Sequence, residues 1–380
     1  MMDLKGKKVA VLENGLFSTY TMRESLMMRL LEEGAEVYVL TQTNRYVAQV
    51  EKMGLKVVNV GSGNMNPVRV LQYIYRLRRT LLRIKPDLCL TFSIRPAIWG
   101  NLLTRRHDIP TITNITGVGP LFVSKNMVYR IARSLYRNAL KKSRKVFFQN
   151  EDDLNLFLEK GFVKRELAEK IPGSGVDYQK FSPIPAAGPH PPGFVFLFVG
   201  RLIKDKGIYE YVHAARMVKK QFPSAVFNVM GPFWTQNLKK NTITRSELQD
   251  WIDEGVIDYL GEKKDVRQFI ADSDCIVLPS YREGMSNTLL EAASMEKPII
   301  TTETTGCKEI VVDHVTGLLC KVRDGDDLAE KMKEMICLPA QELESMGKKG
   351  REKIIREFDK SLVIDAYLKA IHATLDSAGK

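Results

Sequence analysis

Residues 195–207 of this 380-residue chain have the sequence VFLFVGRLIKDKG. The run Val195–Val199 is apolar and begins and ends with a β-branched residue, as a buried strand would. A glycine and a basic loop follow this run, and the next segment has the length and polarity of an amphipathic helix. A strand that passes through a loop into a helix is the repeating unit of parallel α/β sheets, so this stretch predicts a doubly wound domain.

The same alternation of short apolar runs with amphipathic segments extends along the whole chain. The predicted strands are Val9–Leu12, Val37–Thr41, Val57–Val60, Leu88–Thr91, Thr111–Ile115, Val195–Val199, Val226–Met230, Ile276–Pro279 and Pro298–Thr302. Parallel sheets with helices on both faces give this pattern, so we predict two Rossmann-like, doubly wound parallel-sheet domains. Ligands of such domains bind beyond the carboxyl ends of the strands, which predicts a site in a cleft across which the two domains face each other.

A proline-rich segment divides the chain into two halves. Residues 183–193 contain five of the sixteen prolines. Proline lacks an amide donor and fixes φ, so we expect this segment to be a linker. The predicted domains are therefore residues 1–183 and residues 193–360.

The formal net charge of +12 is concentrated in two segments of the first half. Residues 69–85 contain six basic residues and residues 123–145 contain eight, and neither segment contains an acidic residue. Each segment predicts a basic helix, and we expect such helices to bind an anionic membrane surface. In the second segment the predicted membrane-binding residues have helical spacing: Arg130, Arg133, Arg137, Lys141 and Arg144. The alternative is a solvated helix face.

Composition excludes several classes of protein. Hydrophobic residues make up 44% and charged residues 27% of the chain, as in globular enzymes. We expect no nucleic-acid partner, because neither an aromatic–basic platform nor a recognition helix accompanies the basic segments. The N-terminal segment lacks a secretory signal, so we expect a cytoplasmic protein. Cysteine and histidine, five of each, are dispersed, which predicts no metal site.

The loop after Val199 carries groups suited to a diphosphate. Gly200 allows close approach of the backbone, and Arg201 and Lys206 bring positive charge to the space beyond the strand. A diphosphate prefers a bidentate arginine and a lysine as partners. The alternative is a basic loop that binds no ligand.

Residues 279–292, PSYREGMSNTLLEA, form the second candidate element. Glu283 lies in a loop, and the helix that follows is expected to carry Glu291 two turns from its start. The amides of Met285, Ser286 and Asn287 would lie at the positive end of this helix and could bind phosphate oxygens. The Glu291 carboxylate could accept both hydroxyls of a ribose. The alternative is a capped core helix with one solvated glutamate.

These residues resemble the glycosyltransferase 4 family, the retaining sugar-nucleotide transferases of the two-domain GT-B fold. The resemblance rests on a Glu-x7-Glu pair, Glu283 and Glu291, and on a Gly-Arg…Lys-Gly segment that begins at Gly200. It implies that Arg201 and Lys206 neutralise the diphosphate of the donor.

The same resemblance implies further site residues. Glu283 would contact the donor sugar, which makes it a catalytic residue together with the two cations. Glu291 would hold the ribose, and the backbone around Leu260 would face the base. Gly15 corresponds to the family's glycine-rich first loop. A helix at residues 361–380 would return to the first domain and act as the hinge of domain closure.

Residues 91–100, TFSIRPAIWG, and residues 113–119, TNITGVG, resemble a bacterial subgroup. Its members extend undecaprenyl-diphosphate-linked sugars and include α-1,3-N-acetylgalactosaminyltransferases. Many members of the broader family have a histidine at the position of Thr116, and we expect Asn114 or Thr116 to replace it in positioning the donor sugar.

Together these observations predict a retaining transferase. It would move a hexose or N-acetylhexosamine from a UDP-sugar to an undecaprenyl-diphosphate-linked sugar at the inner face of the cytoplasmic membrane. We expect no metal cofactor, because cations and a helix N-terminus can stabilise the leaving diphosphate. The Asp-x-Asp match at residues 272–274 precedes a predicted buried strand, so we interpret it as accidental.

Two other classes of function remain open. One is a sugar-nucleotide epimerase or phosphorylase of the same fold. An epimerase would not need basic membrane helices, and the lysine context of a phosphorylase cofactor is not seen. The other is a non-catalytic, membrane-docked scaffold, against which the intact set of Arg201, Lys206, Glu283 and Glu291 argues.

Overall fold

The computed structural model describes residues 4–43, 46–61, 66–118, 122, 127–233 and 241–378. The chain divides into two compact units. The first consists of Met1–Gly175 and Lys360–Lys380, and the second of Val176–Asp359.

Within the described residues, the first unit contains a sheet of seven parallel strands in the order β3-β2-β1-β4-β5-β6-β7. The strands are β1 (Lys8–Leu12), β2 (Glu36–Thr41), β3 (Lys56–Asn59), β4 (Leu88–Phe92), β5 (Thr111–Ile115), β6 (Lys145–Phe148) and β7 (Ala168–Lys170). The helices are α1 (Leu16–Thr21), α2 (Glu24–Glu32), α3 (Val47–Lys52), α4 (Pro67–Ile84), α5 (Asn101–Arg105), α6 (Met127–Leu140) and α7 (Glu151–Glu159). A π-helical turn at Pro96–Gly100 precedes α5, and a 3₁₀ turn at Arg165–Leu167 precedes β7.

Both basic helices cover the same face of this sheet. Neighbouring strands are in register through Leu12, Thr91, Thr113 and Val146. Side chains in register on parallel strands point to one side of a sheet. Leu12 packs in a cluster with α4, and Val146 packs in a cluster with α6. The positive charge of the two helices is therefore carried by a single layer of the first unit.

In the second unit, six parallel strands of the described chain have the order β10-β9-β8-β11-β12-β13. They are β8 (Val195–Val199), β9 (Val226–Met230), β10 (Asp258–Gly261), β11 (Cys275–Leu278), β12 (Ile299–Thr302) and β13 (Gly317–Cys320). The helices are α8 (Ile208–Lys219), α9 (Arg245–Asp253), α10 (Arg267–Ala271), α11 (Asn287–Ser294), α12 (Gly325–Cys337) and α13 (Ala340–Glu357), with a 3₁₀ turn at Lys204–Lys206. One hydrophobic cluster contains residues of β8, β11 and β12 together with α8, α11 and α12.

The chain ends in α14 (Lys360–Ala378), which belongs to the first unit. Val363, Tyr367 and Ile371 are buried in a cluster with Val9 and Val11 of β1. Leu12, the next residue along β1, packs with α4 instead. Because successive residues of a strand face opposite sides, α14 covers the face of the sheet opposite to the two basic helices.

The units divide eight residues before the predicted linker. The chain passes between them at Gly175–Val176 and again at Asp359–Lys360. The prolines prevent residues 183–193 from pairing with a sheet, but this segment is tied to the second unit. Its Ala187 amide donates to Asp272 at 2.8 Å, and His190 contacts Asp274 at 3.0 Å. Proline content predicts the lack of regular structure but not the unit to which a segment binds.

Four strands were not predicted from the sequence: β6, β7, β10 and β13. Three of them, β7, β10 and β13, lie at sheet edges. The strand β6 contains one β-branched residue and the other three contain none, so no β-branched run indicates them. Among the described residues, no helix combines the length and the apolar character needed to cross a lipid bilayer.

Candidate active site

The order of strands in the second unit reverses between β8 and β11, where the loops that follow these strands diverge. Such a switch point leaves a crevice at the carboxyl edge of the sheet. The two loops contact each other there, because the Tyr281 amide donates to the Asp205 carbonyl at 2.9 Å. Gly207 has a φ of +75°, and a Cβ at this position would lie 2.1 Å from the Pro279 carbonyl oxygen. The close approach of the loops therefore requires glycine.

The contact between these loops joins two predicted catalytic residues. The Nζ of Lys206 donates to the Oε1 of Glu283. Both side chains keep some access to solvent, with 16% of Lys206 and 14% of Glu283 exposed. The sequence indicated each group separately, and the structure brings them together as one partly buried ion pair.

A third loop fixes the backbone around Glu283. The Glu283 amide donates to the Thr305 carbonyl at 2.9 Å, and the Ser286 amide donates to the Gly306 carbonyl at 3.0 Å. Gly306 has a φ of +79°, and a Cβ there would lie 2.6 Å from the Glu283 carbonyl oxygen. The loop after β12 therefore fixes the position of the Glu283 backbone.

This arrangement corrects the predicted set of anion donors. The amide of Ser286 already donates to a carbonyl, so the predicted phosphate donors reduce to the amides of Met285 and Asn287. Ser286 is the N-cap residue, and α11 begins at Asn287. Glu291 is therefore the fifth residue of the helix, just over one turn from its start and not the two turns expected.

Glu291 is partly exposed on α11. Burial raises the pKa of its carboxyl, the charge of Lys180 lowers it and the charge of Asp265 raises it, and together they give a pKa of about 7. A carboxyl with this pKa is close to half protonated at neutral pH. A ligand that donates hydrogen bonds to the carboxylate would favour its charged form.

The remaining predicted residues of the second unit lie along the same carboxyl edge. The Gly200 amide donates to the Met230 carbonyl at 3.0 Å, and Arg201 follows it as a partly buried residue. Leu260 is partly exposed on the edge strand β10. The loop after β8 is thus bonded to the carboxyl end of β9.

Tyr281 lies in the same loop as Glu283, and the sequence pattern alone gives it no role. Its hydroxyl donates to Glu210 of α8 at 2.7 Å, and the Arg323 guanidinium lies 4.5 Å from the centroid of its ring. Burial and this hydrogen bond raise the pKa of Tyr281 well above its usual range. Tyr281 therefore anchors the Glu283 loop to α8, and its position two residues before Glu283 is the signal that sequence offers.

Asn114, one of the two residues predicted to position the donor sugar, is buried in the first unit. Asn114 is 3% exposed, and its Nδ2 donates to the Tyr367 hydroxyl of α14 at 2.7 Å. Asn114 thus makes a structural contact within the first unit, and its role in positioning the donor sugar stays a prediction. Thr116 is partly exposed just after β5. Gly15 precedes α1 with a φ of −178°, an extended conformation that does not require glycine.

Sequence reasoning missed a buried ion pair at the carboxyl edge of the first sheet. Arg23 Nη1 lies 2.8 Å from Glu13 Oε2, with 7% and 2% of the two side chains exposed. The Arg23 guanidinium also lies 4.2 Å from the centroid of the Phe92 ring. Burial raises the pKa of Glu13, and the charge of Arg23 opposes this shift.

Three of the five predicted membrane-binding residues lie on one helix. Arg130, Arg133 and Arg137 belong to α6, which ends at Leu140. Lys141 lies in the turn that follows. The Arg144 amide donates to the Thr111 carbonyl at 2.8 Å, which directs the chain into β6. Helical spacing therefore does not continue to Lys141 and Arg144, contrary to the prediction.

The Asp-x-Asp match is engaged in structural contacts. Asp272 accepts hydrogen bonds from Ala187 and Gln268, and Asp274 accepts one from the Val195 amide at 2.7 Å. These carboxylates hold residues of the proline-rich segment and the start of β8 against the second unit.

Two doubly wound parallel sheets in one chain are the architecture of the GT-B glycosyltransferases. Residues 184–353 match the family model Glycosyl transferases group 1, and residues 8–150 match the model Glycosyl transferase 4-like. The chain belongs to the glycosyltransferases of the GT4 type. The predicted fold class and enzyme class are confirmed.

Two curated relatives match most of the length of the chain. N,N'-diacetylbacillosaminyl-diphospho-undecaprenol alpha-1,3-N-acetylgalactosaminyltransferase of Campylobacter jejuni is 24% identical over 95% of this chain and 97% of its own. UDP-Gal:alpha-D-GlcNAc-diphosphoundecaprenol alpha-1,3-galactosyltransferase of Escherichia coli is 25% identical over 78% of each chain. Among solved structures, Anabaena HepE in complex with UDP and glucose has a TM-score of 0.79 at 16% identity, covering 96% of this chain and 99% of its own.

Proposed function

We propose that this protein moves a hexose or N-acetylhexosamine from a UDP-sugar to an undecaprenyl-diphosphate-linked sugar, with retention of the anomeric configuration. The observation that carries the proposal is the Lys206–Glu283 pair at the switch point of the second sheet. The acceptor class is supported by the names of the Campylobacter and Escherichia relatives, which are transferases acting on sugars linked to undecaprenol diphosphate.

The donor diphosphate would exchange partners with the ion pair. Lys206 neutralises the carboxylate of Glu283 while the site is empty. A bound diphosphate offers Lys206 a stronger anionic partner, with Arg201 and the amides of Met285 and Asn287 as further donors. Glu283 is then available to accept hydrogen bonds from hydroxyls of the donor sugar. Glu291 accepts hydrogen bonds from the ribose.

Transfer would proceed without a covalent intermediate on Glu283. A carboxylate that accepts hydrogen bonds from the sugar hydroxyls is oriented for hydrogen bonding and is a poor nucleophile. The acceptor hydroxyl attacks the anomeric carbon from the face that the diphosphate leaves. Its oxygen bonds to the anomeric carbon as the carbon–phosphate oxygen bond breaks, and its proton passes to the leaving phosphate oxygen. Arg201 and Lys206 stabilise the charge that develops on this oxygen.

The same proposal places the first unit at the inner face of the cytoplasmic membrane. On α4, four apolar side chains point to solvent with helical spacing, and three of them are more than 60% exposed. They are Val68, Leu71, Tyr75 and Leu82. Arginines flank them on a helix that has no acidic residue. A basic helix with an exposed apolar stripe is the pattern of a membrane-surface element.

Donor binding gives a matched test of the diphosphate role. Lys204 and Lys206 lie in the same 3₁₀ turn, but only Lys206 contacts Glu283 among the ion pairs of the described residues. We expect Lys206→Ala to weaken UDP binding by about 10- to 100-fold, measured by calorimetry, and Lys204→Ala to leave it within about twofold of wild type. Equal effects of the two variants would refute the assignment.

The transfer reaction itself is tested with a panel of UDP-sugars and an undecaprenyl-diphosphate-linked monosaccharide. We expect one donor to give a disaccharide product that retains the donor's anomeric configuration by NMR. An inverted product would refute retention. Epimerisation of a UDP-sugar without acceptor would favour the epimerase alternative.

A further inference from the structure

A surface cavity of about 440 Å³ lies beside α6, in the first unit. Arginines from one face of the helix line it together with Lys160, which follows α7. The arginines are Arg130, Arg133 and Arg137. None of the described residues that line it is acidic. It belongs to a different unit from the proposed donor site and is therefore a separate cationic site.

The turn after α7 fixes part of this cavity. The Nε of Arg137 donates to the Gly161 carbonyl at 3.1 Å. Gly161 has a φ of +62°, and a Cβ there would lie 3.5 Å from Arg137 Nη2. The Gly161 backbone therefore packs against the guanidinium and holds its orientation. A guanidinium has five N–H donors, and the bond to Gly161 uses only the one on Nε.

Two phenylalanine rings give the cavity an apolar wall. Phe122 and Phe162 line it, with ring centroids 5.3 Å apart. Each also packs against the buried Phe157, at 5.2 Å and 5.3 Å between centroids. The wall is therefore anchored in the core, and cations and rings together suit a ligand with an anionic group joined to an apolar body.

The surroundings of the cavity favour a membrane lipid over a free anion. Met127 and Ile131 of α6 are 57% and 56% exposed, and they are close in sequence to Arg130. The apolar stripe of α4 lies on the same face of the sheet. Side chains suited to an acyl layer thus adjoin cations suited to a phosphate.

We propose that this cavity seats the phosphate of an anionic membrane lipid and thereby fixes the first unit on the leaflet. The inference deepens the membrane docking given under Proposed function and rests on it. A diffuse basic surface would be attracted to the leaflet in many orientations, whereas a seated phosphate selects one. If a phosphate is seated in the cavity, membrane affinity depends on which cations are present and not only on how many.

The test compares two pairs of charge removals in the full chain. Arg133→Gln with Arg137→Gln removes two charges that line the cavity. Lys142→Gln with Arg144→Gln removes two exposed charges that follow α6 outside it. Binding is measured by sedimentation with phosphatidylcholine vesicles that contain about 30% phosphatidylglycerol, without donor or acceptor. The result therefore does not depend on the transferase reaction.

We expect the cavity variant to lose about tenfold more vesicle affinity than the matched variant, with unchanged thermal midpoints. Equal losses of affinity in the two variants would contradict the phosphate site in the cavity but not membrane docking. A wild-type protein that does not bind the vesicles would contradict both proposals. Titration with sn-glycerol 3-phosphate distinguishes the source of the phosphate. Binding as tight as that to vesicles, and lost in the cavity variant, would overturn a lipid ligand in favour of a soluble phosphate.

Discussion

The carboxyl edges of the two sheets have the same strand order but carry different charged residues. In each sheet the strand order reverses beside the first strand of the unit, between β1 and β4 and between β8 and β11. Beside each of these reversals, the described residues include a Lys/Arg–Glu pair. The second unit has Lys206 and Glu283, and the first has Arg23 and Glu13.

The two pairs differ in what covers them. The Lys206–Glu283 side chains are 16% and 14% exposed, whereas the Arg23–Glu13 side chains are 7% and 2% exposed. In the first unit, α14 adds Tyr367, whose ring packs on Phe92 at 5.9 Å between centroids. The same fold thus provides a crevice twice. The segment that covers the crevice decides whether its charges can meet a ligand or serve only the structure.

Removing the open carboxylate tests this comparison with the largest expected effect. We expect Glu283→Gln to lower kcat/KM for transfer by about 100- to 1000-fold, because Lys206 loses its partner and the donor sugar loses a charged acceptor. The thermal midpoint should stay within a few degrees of wild type. Glu303→Gln, which changes an exposed glutamate in the loop after β12, is the matched control and should keep full activity. Near-normal transfer by Glu283→Gln would contradict the assignment of the Lys206–Glu283 pair to ligand binding.

Removing the cation of the covered pair should act on stability. Arg23→Met leaves the buried Glu13 carboxylate without its counter-ion, and we expect a loss of about 3–5 kcal/mol in the free energy of unfolding. Urea denaturation followed by circular dichroism measures this loss. The double variant Glu13→Gln with Arg23→Met should recover much of it, because the uncompensated charge is gone. If Arg23→Met instead abolishes transfer at unchanged stability, the first edge is also a ligand site.

The comparison also shows which parts of the molecule the sequence predicts. Long apolar runs such as Val195–Val199 identify buried strands, because burial on both faces leaves no polar position. The residues Lys206 and Glu283 are predicted because each lies in the loop after such a strand and matches a motif of the family that the sequence resembles. The edge strands Ala168–Lys170 and Gly317–Cys320 contain no β-branched residue and do not give this signal.

The covered pair and its neighbours were not predictable from local pattern. Asn114 and Tyr367, which meet through a hydrogen bond, are 253 positions apart in the chain. Their meeting depends on α14 packing against the first sheet, and nothing in either flanking segment indicates the partner. Polar contacts made by the return of a distant helix require the structure.

The pH dependence of ribose binding gives a smaller test at the open edge. The carboxyl of Glu291 has a pKa of about 7, so a ribose that binds the carboxylate should bind more tightly as the pH rises. Ionisation increases from about 10% at pH 6 to about 90% at pH 8, which predicts up to about ninefold higher affinity. Uridine is the appropriate ligand, because it carries the ribose without a phosphate that titrates in this range.

The raised pKa of Glu291 also makes the stability of the protein depend on pH. Relative to an ordinary glutamate, Glu291 makes its full stabilising contribution only below about pH 4.5 and loses it as the pH rises through about 7. Glu291→Gln should therefore match the wild-type thermal midpoint near pH 4.5, exceed it at pH 8, and bind uridine independently of pH. A pH-independent wild type would contradict the ribose role.

The smallest effect concerns two buried tyrosine hydroxyls in the first unit. The Tyr367 hydroxyl accepts the hydrogen bond from Asn114, whereas the buried Tyr136 hydroxyl has no hydrogen-bond partner among the described residues. Tyr367→Phe would strand the Asn114 amide, and we expect a cost of about 1 kcal/mol, or a fall of about 2–4 °C in the thermal midpoint. Tyr136→Phe removes an unpaired polar atom and should leave the midpoint unchanged or raise it. Equal shifts of the thermal midpoint in the two variants would contradict a role for the Asn114–Tyr367 hydrogen bond. The packing of the Tyr367 ring alone would then hold α14 over the first edge.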